Sequence, residues 1–135
     1  MTSTLSSSSS IQYAPKTVKR AERALSCSPF CLILFIVMRS QSVPLSAIAG
    51  QRGIQNGYSR QPLAEMAAEN ALLWLIQVGL LRREVDGQGI TDSFRLTPLG
   101  REIVKKWEKQ PGSIPRPSLW DRLKNALNRW LRLPL

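Results

Sequence analysis

Cys27 and Cys31 are the only two thiols in the chain and stand four residues apart. They fall in a stretch of helical character and are too few for a disulfide framework or a four-ligand metal site. Reduced, packed thiols are the ordinary role of such a pair, with redox exchange as the alternative. The chain has no histidine, so the usual neutral-pH general base and the commonest metal ligand are both absent. From the isolated polar residues that remain, no nucleophile, base and oxyanion donor can be assembled. The expectation is a non-enzymatic protein with no cofactor, no metal and no small-molecule substrate.

What the composition does supply is positive charge. Nineteen Lys and Arg against nine Asp and Glu give a net charge of +10, which points to an anionic partner. Nucleic acid and anionic lipid both qualify. The excess is uneven: residues 1–60 carry +6, residues 61–111 are neutral and residues 112–135 carry +4. Lys16, Lys19, Arg20 and Arg23 form the densest group, with one acid among them. Arg60 and Gln61 precede a long helical pattern, and Arg82, Arg83 and Arg95 share a hairpin pattern with Glu84, Asp86 and Asp92. These nine cationic and polar residues are the candidate nucleic-acid contacts; ordinary solvated charge is the alternative, more so in the hairpin than in the first group.

The elements that must position them follow from periodicity. Residues 1–14 are rich in Ser and Thr without apolar periodicity and are expected to be disordered. Residues 15–110 make one domain, which a hydrophobic content of 43% can support with a core. Within it, Val18, Ala21 and Leu25 recur at helical spacing in a basic helix over 17–25. Ser28-Pro29 reads as N-cap and N1 of an apolar helix reaching Met38. Ser42-Val43-Pro44-Leu45 opens a short helix to Ala49, and Gly50, Gly53 and Gly57 make 50–60 a loop. A long helix runs from Pro62 to Val78, with Gly79 as its left-handed cap. Leu80–Val85 and Ile90–Leu96 read as two strands joined by Asp86-Gly87-Gln88-Gly89, and Thr97-Pro98 starts a helix to Lys109. Leu75, Leu80, Phe94 and Trp107 are expected in the core.

Pro111, Pro115 and Pro117 mark a stiff linker over 111–117. Residues 118–135 then read as an amphipathic basic helix with Leu119, Trp120, Leu123, Leu127, Trp130 and Leu131 on one side. This interaction stripe has three readings: packing on the domain near Leu72 and Ile76 or in a dimer, docking to a partner, or lying in an anionic lipid interface. The run Phe30–Met38 is about half of the ~20 residues that a membrane-crossing helix needs. Ala47-Ile48-Ala49 resembles a leader cleavage site, but Arg39 interrupts the approach to it, and cleavage there would remove the first core helix. A cytoplasmic protein is expected.

The segment GLLRREVDGQGITDSFRLTPLG at 79–100 resembles the wing of small bacterial winged-helix regulators of the MarR and PadR type. There a Gly-Leu pair, here Gly79-Leu80, ends the helix before the wing. The second wing strand runs into a Leu-Thr-x-x-Gly helix start, here Leu96 to Gly100. The likeness covers about residues 28–109. It implies a mainly α fold with a β-hairpin wing, a winged helix-turn-helix, carrying an extra N-terminal basic helix and a C-terminal amphipathic one. It also implies transcription-associated DNA binding, with the helix before the wing in the major groove. This chain departs from that pattern, because the first turns of the helix offer Glu65 and Glu69. DNA binding of weak sequence selectivity is therefore one expectation, and a protein-interaction module or homodimer is the other.

Overall fold

The structure, a computed structural model, describes residues 13–85 and 93–109 together with Leu123, Asn125, Ala126 and Arg129. In chain order its elements are helix α1 (Pro15–Ser26), α2 (Leu32–Met38), strand β1 (Val43–Pro44), α3 (Leu45–Ile48), α4 (Gly50–Gln55), α5 (Glu65–Gln77), β2 (Leu81–Glu84), β3 (Ser93–Leu96) and α6 (Pro98–Glu108). The arrangement is mainly helical with one small antiparallel sheet, an α+β fold. In the sheet β3 lies between β1 and β2. Val43 faces Phe94 across one ladder, and Leu81 faces Leu96 across the other.

The junction from α5 to α6 shows why these residue types stand where they do. Gly79, at φ +91°, takes the left-handed conformation that L side chains rarely adopt. There its N–H reaches the Ile76 carbonyl at 3.0 Å, while the Leu80 N–H reaches that of Leu75 at 2.9 Å. This paired closure ends the helix and aims the chain into β2. Thr97 caps α6 by accepting the Gly100 N–H at 3.1 Å, and Pro98 fills the first turn, where a missing N–H costs nothing. A Cβ on Gly100 would strike the Leu80 carbonyl and the Leu96 side chain, so the final glycine of the motif is set by close approach of helix to strand.

Around the sheet a continuous apolar core takes Leu34, Phe35 and Met38 from α2, Leu72 and Leu75 from α5, Phe94 and Leu96 from β3, and Ile103, Val104 and Trp107 from α6. All four residues expected in the core, Leu75, Leu80, Phe94 and Trp107, are buried. Ala21, Ala24 and Leu25 bury one side of α1, which packs against α5 and α6. The small alanines leave room for close approach of these helices.

Several expected boundaries move, each for a physical reason. Tyr13 and Ala14, expected to be disordered, are placed by the fold: Tyr13 packs partly on the core, and the Ala14 carbonyl receives the Thr17 and Val18 N–H groups. Ser28-Pro29 does not start α2, which begins at Leu32. Phe30 instead bridges Ser59, and the Cys31 N–H is taken by the Tyr58 carbonyl at 2.8 Å. That long-range pairing outcompetes a local cap. Val43-Pro44 is a strand, with the proline on a sheet edge where no N–H is required. The glycine-rich stretch from 50 contains α4: Gly53 sits in it because a side chain there would meet the Ile48 carbonyl and the Ser59 hydroxyl. Neither cysteine forms a disulfide, and both are half-buried, Cys27 ending α1 and Cys31 preceding α2. The Asp86-Gly87-Gln88-Gly89 turn, the first residues of the expected second strand (90–92) and the linker over 111–117 lie outside the described residues.

Candidate functional site

The structure places the four cations of the first group on one face. Lys16, Lys19, Arg20 and Arg23 stand at i, i+3, i+4 and i+7 of α1, a sector of about 100°. They face away from the buried Ala21 and Leu25, with buried Ala24 beside Arg20 at the edge of the sector. Lys16 and Lys19 are exposed, and Arg20 and Arg23 are half-buried. Among the described residues none of the four has an ion-pair partner. Glu22, the only acid of the helix, is held by Lys106 of α6 at 2.8 Å. Arg20 Nε and Arg23 Nη1 are shut from water without a hydrogen-bond partner. Like charges one turn apart repel, and Lys16 in the first turn opposes the helix dipole, although Arg23 in the last turn favours it. The stripe therefore carries a local cost that an anion would relieve.

The hairpin treats its cations differently. Antiparallel pairing sets Arg82 directly opposite Arg95, an arrangement that destabilises a sheet unless it is compensated. Compensation comes from Glu84, which is on the same face by strand alternation. Its carboxylate takes Arg82 at 3.0 Å and Arg95 at 3.6 Å. Arg95 also donates to the Ser40 carbonyl at 3.3 Å. Arg83 falls in register with Phe94, its guanidinium carbon 5.5 Å from the ring centroid, within cation–π reach. Each of the three arginines thus has an internal partner, although Arg95 Nε, like Arg20 Nε and Arg23 Nη1, is shut from water without a hydrogen bond.

Arg60 and Gln61 are exposed in the approach to α5, where the Ser59 hydroxyl donates to the Gln61 carbonyl at 2.9 Å. The outward residues of α5 are Glu65, Met66, Ala67, Asn70, Leu73 and Gln77, without a cation. Arg39 is spent on Glu108 of α6 in a two-pronged pair. That pair holds the Glu108 carboxyl below the usual carboxylate range and the guanidinium above its ordinary value. Among the described residues no three His, Cys, Asp or Glu gather as metal ligands, and no helix is long and apolar enough to cross a membrane.

Of the expected interaction stripe, Leu123 is described; it is helical and 48% exposed. Trp120, Leu127, Trp130 and Leu131 lie outside the described residues. Asn125 gives the contact between this segment and the long helix, accepting a hydrogen bond from Trp74 Nε1 at 3.0 Å. Docking on this helix near Leu72 and Ile76 is the expectation; among the described residues the contact falls on Trp74 of the same helix. Trp74 and Asn125 were missed at the sequence level, as was exposed Arg52 on α4. A tryptophan in an apolar helix signals a buried N–H in need of an acceptor, but nothing local identifies which.

Comparison with curated proteins and with solved structures returns no match. A family model does match, over residues 11–129, and the chain belongs to the Npun_F0494-like family.

Proposed function

We propose that residues 15–110 form a winged-helix module without enzymatic activity, which holds DNA by its phosphate backbone with little sequence selectivity. The winged-helix reading draws on three features. β1, between α2 and α3 in the chain, pairs with β3 on the side away from β2. The longest described helix runs directly into β2, and α6 follows β3. The last two follow the order that the likeness of residues 79–100 implies.

The observation that carries the DNA reading is the α1 stripe of Lys16, Lys19, Arg20 and Arg23, uncompensated among the described residues. Phosphates would occupy the place of the missing carboxylates and relieve the repulsion along the helix. Backbone contacts of this kind position a protein without reading bases. Base readout through α5 is disfavoured, since Glu65 and Glu69 would approach a polyanion and no cation accompanies them. Fluorescence anisotropy with two duplexes of unrelated sequence tests the reading. Similar affinities and a steep fall from about 50 to 200 mM salt are expected, because bound counterions are released. Binding indifferent to salt, or strong preference for one duplex, rejects it. The rival reading, a protein-interaction module, is favoured by Met66, 73% exposed, beside Leu73 on the outer face of α5.

A further inference from the structure

Residues 61–111 are neutral by count, yet the fold divides that charge unevenly. On α6, Arg101, Lys105 and Lys109 stand at i, i+4 and i+8, a sector of about 80°. All three are exposed, and among the described residues none has an ion-pair partner. The buried Leu99, Ile103, Val104 and Trp107 lie about 100° or more around the helix from Lys105. Two acids border the row, each about 60° from Lys105. Glu108 is taken by Arg39 of α2, which leaves Glu102 as one acid against three cations. The helix dipole gives Lys105, in the last turn, a structural reason to be there. It gives none to Arg101, which lies nearer the N-terminal end.

This row lies beside the α1 stripe. α1 packs against α6, and Lys106 of α6 holds Glu22 of α1 at 2.8 Å. On α1, Glu22 lies about 60° from Lys19, the near edge of its stripe; on α6, Lys106 lies about 60° from Lys109. Each row faces away from the apolar core, so the two flank this ion pair on its solvent side. Packed helices stand about 8–10 Å apart, which lets both rows meet one face of a single duplex. We propose that Arg101, Lys105 and Lys109 extend the α1 stripe into one phosphate-binding surface, with a DNA duplex lying across both helices. The Glu22–Lys106 pair is the neutral seam that fixes one row relative to the other. Seven cations in place of four neutralise more phosphates of the same backbone and still read no base. This inference rests on the DNA reading of the α1 stripe and adds three contacts to it.

Fluorescence anisotropy of the full chain with one duplex, repeated from about 50 to 200 mM salt, is the test. Arg101→Gln/Lys105→Gln/Lys109→Gln should bind about tenfold more weakly near 0.1 M salt, with a salt slope flatter by up to about three units, one per lost phosphate contact. The three side chains are exposed, so the melting temperature should hold. Glu102→Gln should tighten binding a few-fold. Arg52→Gln/Arg60→Gln, which removes exposed cations of α4 and of the approach to α5, is the control and should change little. A triple variant that binds like the wild type while Lys16→Glu/Lys19→Glu is impaired overturns the extension and leaves the α1 reading standing. An equal loss per removed charge in the control means that only net charge counts, and overturns it as well. If the wild-type chain does not bind the duplex, or loses nothing in Lys16→Glu/Lys19→Glu, the α1 reading itself fails and the extension falls with it.

Discussion

The β2–β3 hairpin and helix α1 both present clustered cations and dispose of their charge in opposite ways. In the hairpin Arg82 and Arg95 share Glu84, and Arg83 lies against Phe94. In α1 the four cations have no acidic partner among the described residues, and the one nearby carboxylate is drawn to Lys106. A set of charges to which the fold has already given internal partners has less left for a ligand. The uncompensated set keeps its full field and gains most when an anion arrives. Of the two candidate phosphate surfaces, α1 is therefore the stronger, although hairpin wings are the more familiar place to look for one.

The largest expected effect removes the frame on which both sets stand. Trp107 is 5% exposed in α6, and Trp107→Ala should cost about 3–5 kcal/mol through the cavity it leaves. Thermal or urea denaturation measures this, and an unchanged midpoint would take Trp107 out of the core. Next is the comparison itself. Lys16→Glu/Lys19→Glu should weaken DNA binding by roughly ten- to a hundredfold near 0.1 M salt and flatten its salt dependence by about one unit of slope per lost phosphate contact. Both side chains are exposed, so the fold should persist. If the equivalent change at Arg82 weakens binding more, the ranking of the two surfaces is wrong.

Glu84→Gln sharpens the contrast from the other side. It should release Arg82 and Arg95 and raise DNA affinity by a few-fold, while lowering stability by no more than about 1 kcal/mol, the usual range for a surface pair. An affinity unchanged by this substitution would remove the hairpin from the interface altogether. The smallest effect concerns the Arg39–Glu108 pair. Its guanidinium holds the Glu108 carboxyl below the usual range, so the pair's contribution is present above the ordinary carboxylate pKa of about 4.3. It is lost as pH falls through the lowered folded value. The stability difference between the wild type and Arg39→Gln should be constant from neutral pH down to about pH 5, shrink in stronger acid, and diminish with salt. A difference that grows in acid would contradict the assigned direction.

Much of this was readable before any coordinates, and the parts that were not have a common cause. The α1 stripe needs only the helical period, so Lys16, Lys19, Arg20 and Arg23 could be grouped from spacing alone. Gly79, Thr97 and Pro98 act on neighbours within five residues in the chain, and their caps appear where local rules put them. The short elements between Cys31 and Ser59 were misplaced because distant partners decide them. Val43-Pro44 is a strand on account of β3, some fifty residues later, and Phe30 is extended on account of Ser59. Gly53, which signals a loop to a local reading, lies in a helix and is glycine because the Ile48 carbonyl and the Ser59 hydroxyl crowd its α-carbon.

The same division holds for the candidate surfaces. The sequence by itself determined that the chain is strongly basic, that its excess charge lies outside residues 61–111, and that its last segment is amphipathic; composition and periodicity suffice for each. Only the tertiary structure decided which cations already have an internal partner and that Asn125 of the last segment meets Trp74. Glu84 reaches Arg95 through strand register, and Asn125 reaches Trp74 across 51 residues. A side chain's sequence neighbours set its local conformation, but its free charge and exposed face depend on what the rest of the chain brings to within a few ångströms of it.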